Sequence, residues 1–103
     1  MAKLTKVAQK NDLPPGKAIA VDIEGKRIAV FNISGTYYAI DDECTHDLAS
    51  LAEGGINDDC TVECPWHGAQ FDLKTGKAMT LPAVEAVRTY KVRIQGDQIE
   101  VEL

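Results

Sequence analysis

Gln98-Ile99-Glu100-Val101-Glu102-Leu103 alternates polar and apolar at every step, the two-residue period of a strand with one buried face. The same reading carries back along the chain. Short apolar runs bounded by Gly, Asp, Asn and Pro place further strands at 4–8, 18–23, 27–33, 36–40, 61–63, 69–72 and 89–94. Glu24-Gly25, Ser34-Gly35, Thr75-Gly76 and Gly96-Asp97 stand where tight turns would join them, glycine relieving the steric cost of positive φ. No stretch of helical length keeps an apolar 3.6-residue period, so the chain reads as all-β. One short helical candidate remains at 48–52, ended by Gly54-Gly55.

At 103 residues and 45% apolar content the chain is expected to form one domain over 1–103, with material for a single modest core. Its apolar runs, such as Ile28-Ala29-Val30-Phe31, are far too short to span a membrane, and Met-Ala-Lys-Leu-Thr-Lys at the start resembles no secretory signal. The expectation is a cytoplasmic protein without a membrane partner. Eleven Lys and Arg against 16 Asp and Glu give a net charge of −5, which argues against a nucleic-acid partner, whose phosphates need a basic surface.

Cys44, Cys60 and Cys64 are an odd number of cysteines, and the chain's two histidines, His46 and His67, lie beside two of them. Without an export signal that pattern indicates metal binding or redox chemistry rather than a disulfide framework. Cys44-Thr45-His46 and Cys64-Pro65-Trp66-His67 read as C-x-H, a gap of 17 residues and C-x-x-H, each pair offering one thiolate and one imidazole. Cys60 matches no ligand position and reads as a small buried apolar residue. The stretch 41–82 that holds the pairs is poor in alternation and rich in Gly, Asp and Pro, so metal bonds would have to cross-link what apolar burial does not. A zinc-stabilised Cys2His2 interaction module would use the same donors, but its usual C-x-x-C with H-x-x-x-H pairing is absent. A cysteine nucleophile with a histidine base lacks an evident orienting group.

These pairs, followed by Gly68, Phe71-Asp72, the Thr75-Gly76 turn and Leu81-Pro82-Ala83, resemble the Rieske iron–sulfur proteins, in which two Cys hold one iron and two His the other iron of a [2Fe–2S] cluster. The resemblance spans nearly the whole chain. It implies an antiparallel β-sandwich with a small cluster-binding lobe, and one [2Fe–2S] cluster per chain. Cys44 and Cys64 would ligate one iron and His46 and His67 its neighbour. It further implies a monomeric one-electron carrier, not an enzyme by itself. In that role the chain would stand between a flavin-containing NAD(P)H reductase and the terminal oxygenase of a bacterial aromatic-ring-hydroxylating dioxygenase system. The small subunit of a nitrite reductase shares the fold but in many cases lacks the ligands, all four of which stand here. Pro82 would shape a loop shielding the centre, and Trp66 would pack as core or lid.

Two thiolates instead of four leave such a cluster neutral when oxidised and −1 when reduced, so it takes an electron more readily than an all-cysteine one, at about −150 to +300 mV against about −400 mV. High-potential members of the family carry a disulfide between the ligand loops and hydroxyl donors at the cluster. The corresponding positions here are Ala49 and Trp66, then Ala69 and Phe71. Without those donors the expected potential lies at the low end, about −150 mV. Charge acts in the same sense: residues 28–73 hold nine carboxylates and no Lys or Arg, while the rest of the chain has all 11 basic residues and seven acidic ones. An acidic ligand-bearing lobe would steer docking on basic partner surfaces.

Overall fold

A computed structural model describes residues 4–43, 50–57, 60–64, 70–79 and 86–102. Among the described residues nine strands follow in order: β1 (Leu4–Gln9), β2 (Ala18–Ile23), β3 (Lys26–Ile33), β4 (Thr36–Asp41), β5 (Gly55–Ile56), β6 (Thr61–Glu63), β7 (Gln70–Asp72), β8 (Thr89–Gln95) and β9 (Gln98–Glu102). They form an antiparallel six-stranded sheet, β1-β9-β8-β4-β3-β2, and an antiparallel three-stranded one, β5-β6-β7. The all-β expectation holds, with strand ends within a residue or so of those read from the sequence wherever the residues are described.

β3 explains how two sheets make one body. Alternate side chains of a strand point to opposite faces, and here both faces are covered: Ile28 and Val30 join a core with Ile99 and Val101 of β9, whereas Ala29 and Phe31 join another with Val62 of β6 and Phe71 of β7. β3 and β9 are not hydrogen-bonded neighbours. The six-stranded sheet therefore folds over on itself to enclose the first core, and the three-stranded sheet packs on the far face of β3 and β4 to enclose the second. Apolar residues at every position from Ile28 to Phe31 are what a strand between two cores requires. Fully burying each large side chain there contributes about 1.5–3 kcal/mol.

The hairpin turns follow the steric argument. Glu24-Gly25 joins β2 to β3 and Ser34-Gly35 joins β3 to β4, all four residues at positive φ, as the tightest two-residue loops demand. β1 carries a bulge at Val7, where the register slips between Lys6 and Ala8, and both Val7 and Ala8 turn toward the first core.

The expected helix at 48–52 is replaced. Leu48 and Ala49 lie outside the described residues, Ser50 forms a β-bridge with Glu43, and a 3-10 turn covers Leu51–Glu53. Ser50 cannot serve the bridge and the interior of a helix together. Two short elements were not legible in the sequence: β5, and a 3-10 turn at Lys10–Asp12.

Candidate metal centre

The three-stranded sheet is the lobe that positions Cys64, the one candidate ligand among the described residues. β6 runs directly into Cys64, which is 1% exposed and packs in the second core. Its register against β7 pairs Thr61 with Asp72, Val62 with Phe71 and Glu63 with Gln70, and the Gln70 amide also donates to Glu63 Oε1 at 3.3 Å. The six residues 64–69 between Glu63 and Gln70 hold Cys64 and His67.

The other pair is framed in the same way. The bridge between Glu43 and Ser50 spans six residues, 44–49, which hold Cys44 and His46. Two antiparallel pairings thus each enclose a six-residue connection whose first residue is a cysteine preceded by a glutamate. Cys44, His46 and His67 themselves lie outside the described residues, as do Trp66, Ala69 and Pro82.

The base of the first connection is tied by a carboxylate. Asp42 Oδ1 accepts from the Ser50 hydroxyl at 2.8 Å and from the Ala52 backbone N–H at 2.9 Å. Its Oδ2 accepts from Arg27 Nε at 2.9 Å, the carboxylate side chain being 2% exposed and the arginine 58%. The backbone adds two bonds, Leu51 N–H to the Asp42 carbonyl at 2.6 Å and Asp42 N–H to the Arg27 carbonyl at 3.0 Å. The preceding residue is held from another strand: Tyr90 of β8 donates its hydroxyl to Asp41 Oδ1 at 2.6 Å. Burial, then the hydrogen bond and the negative charge of Asp41, push the Tyr90 phenol up to about 12, with Arg88 opposing. The chain leaves β4 anchored to β3 on one side and to β8 on the other.

Two glycines permit the close packing of the lobe. Gly54 lies against the carbonyl of Glu63, and Gly76, at φ +77, against the carbonyl of Val87, with no room for a Cβ in either place. Gly76 N–H donates to Asp72 and its carbonyl accepts from Val87 N–H at 2.8 Å, which returns the chain from the lobe toward β8. Cys60 is buried in the second core, as the sequence suggests, but at φ +66. Tyr38 reaches it; the hydrogen bond with Cys60, then burial, raise the Tyr38 phenol above its ordinary value. Neither Cys60 nor Cys64 is in a disulfide.

Sequence reasoning missed Asp42 and Arg27. The signal was present, an Asp-Asp-Glu run immediately before Cys44, but it reads as part of an acidic surface. Of the lobe's described carboxylates, Glu43, Glu53 and Glu63 are exposed, whereas Asp42 is neutralised internally by Arg27.

The donor set fits an iron–sulfur cluster. Thiolate is a soft anionic donor and imidazole a neutral borderline one, and Cys64 is withdrawn from water among apolar side chains at a strand end, where a thiolate needs a metal to compensate its charge.

Comparison with known proteins bears on the choice of metal. The Rieske [2Fe-2S] domain matches residues 3–91. The 3-phenylpropionate/cinnamic acid dioxygenase ferredoxin subunit of Escherichia coli (strain K12) is 49% identical over 92 residues, covering 89% of this chain and 86% of that one. The ferredoxin of carbazole 1,9a-dioxygenase from Nocardioides aromaticivorans IC177 superimposes with a TM-score of 0.91 at 35% identity, over 95% of each chain. A structure described as the complex of reduced oxygenase and oxidized ferredoxin in carbazole 1,9a-dioxygenase matches at 0.89 and 32% identity, over 95% of this chain and 91% of that one.

Proposed function

The chain belongs to the Rieske [2Fe-2S] family, and from that premise we propose that Cys44 and Cys64 hold one iron of its single cluster while His46 and His67 hold the other. The protein is an electron-transfer ferredoxin component of a ring-hydroxylating dioxygenase system rather than a catalyst in its own right. It takes electrons from a flavin-containing NAD(P)H reductase and passes them to the terminal oxygenase. The relative at 49% identity makes an oxygenase for phenylpropionate or cinnamate the first partner to test. The chain acts as a monomer in the cytoplasm, one Rieske domain over 1–103 with its ligand connections within 41–82. Among the described residues no helix is long and apolar enough to cross a membrane.

The observation that carries the ligand assignment is the twin framing of the two Cys/His pairs. The Glu43 and Ser50 bridge and the Glu63 and Gln70 pairing each start a six-residue connection on a cysteine. The cluster bound there supplies storage of one electron at a potential near the low end of the Rieske range, about −150 mV. The residues do the rest: thiolates supply anionic charge to one iron, and imidazoles, neutral when ligated, give the other a more reducible environment. The buried lobe around Cys64 and Phe71 keeps water from the sulfur side.

Iron and acid-labile sulfide at two each per chain, with turnover of a purified reductase and terminal oxygenase that stops when the ferredoxin is left out, is the expected result. Zinc in place of iron, or turnover indifferent to the ferredoxin, would contradict it.

A further inference from the structure

The charged pair behind the first ligand connection has a consequence for the cluster, and the inference rests on the ligand assignment above. We infer that Asp42 is a positioning residue that ties the base of the Cys44 and His46 connection, and that Arg27 cancels its buried charge and so holds the cluster's reduction potential up.

Asp42 does the tying with its side chain: Ser50 and Ala52, beyond the far end of the connection, both donate to Oδ1, and Arg27 donates to Oδ2. A carboxylate offers acceptors alone, which suits a site where all three of these partners are donors. Its charge is a cost of that design. Asp42 is two residues from Cys44, a span of at most about 7 Å along the backbone, and it is shielded from water. A fixed negative charge so placed opposes the arrival of an electron at the cluster. Arg27 lies at 2.9 Å from the carboxylate, reaching in from the surface on β3, and arginine keeps its charge at every accessible pH. The pair therefore supplies the mechanical tie with little net field.

Opposite signs separate this role from a merely structural one. Redox titration of the iron-loaded protein, followed by its visible spectrum, is run on wild type, Arg27→Gln, Arg27→Lys, Asp42→Asn and the double variant Arg27→Gln/Asp42→Asn. Arg27→Gln leaves the carboxylate uncompensated and should make reduction about tenfold less favourable, a fall of about 59 mV for one electron. Arg27→Lys should restore most of it. Asp42→Asn leaves the guanidinium alone and should shift the equilibrium upward. The double variant, an amide pair able to hydrogen-bond with itself, should return to within about twofold of wild type, because the two opposite charges are removed together.

Equal potentials in wild type and Arg27→Gln, or downward shifts in both single variants, would overturn the inference. Should Asp42→Asn fail to hold iron, the comparison of Arg27→Gln with Arg27→Lys decides, since Arg27 is a surface side chain. Wild type without iron would overturn the proposed function and this inference together, whereas a loaded wild type whose Arg27 variants keep its potential overturns the inference alone.

Discussion

Gly54 lies so close to the backbone carbonyl of Glu63 that no Cβ fits between them. Glu63 is the residue before Cys64, so the seat of one proposed ligand depends on the absence of a side chain ten positions earlier. The obstructing atom is backbone and cannot swing aside.

Gly54→Ala is expected to lower stability by about 1–3 kcal/mol, the usual cost of overpacking, and to reduce iron content by displacing the start of the second connection. Gly55, beside it, has open space where a Cβ would stand, so Gly55→Ala should retain both. Urea midpoints and iron assays on the two variants check this.

Phe71 is fully buried in the core that contains Cys64. Phe71→Tyr adds a hydroxyl donor to that core, and a donor to cluster or cysteine sulfur favours the more negative reduced state. The potential is expected to rise by tens of millivolts, where about 59 mV corresponds to tenfold in the equilibrium. Ala69→Ser should act in the same direction. Redox titrations showing no rise in either variant would remove missing hydrogen bonds as the ground for expecting a low potential.

Tyr90 titrates near 12 in the folded chain against about 10 unfolded. The folded state thus holds its phenolic proton more tightly, and the corresponding stability is complete below pH ~10 and lost as pH rises through ~12. Urea midpoints should fall over that window in the wild type. In Tyr90→Phe the fall should be shallower, from a start lowered by about 0.5–1.5 kcal/mol for the missing bond to Asp41. A wild-type alkaline profile no steeper than that of the variant would contradict the assignment.

Docking should be slowed by salt. Glu43, Glu53 and Glu63 are exposed next to the two connections, and attraction between exposed charges is screened beyond about 8 Å at physiological ionic strength. Stopped-flow rates of reduction by the reductase are expected to fall as salt rises. Rates that stay constant would mean that the acidic lobe serves solubility only.

The large sheet was legible because its signals are local. Gln98 to Glu102 alternates, and Glu24-Gly25 and Ser34-Gly35 each place a glycine at one of their two positive-φ positions. The Cys/His pairs stand out because their spacing is itself a sequence pattern, though of the four only Cys64 is among the described residues. What was hidden depends on partners distant along the chain. β5 is two residues long and has no room to alternate. The 48–52 segment looks helical until Ser50 is claimed by Glu43. Asp42 looks like one more surface acid until Arg27, 15 residues earlier on a neighbouring strand, is seen to meet it.

The most direct measurement of asymmetric ligation is Mössbauer spectroscopy of the oxidised protein loaded with 57Fe. Two ferric sites of equal area and different isomer shift are expected, because one iron carries thiolate donors and the other neutral imidazoles. Two equivalent ferric irons, or sites that stay as different as the wild type's after His46→Cys and His67→Cys are introduced together, would contradict it.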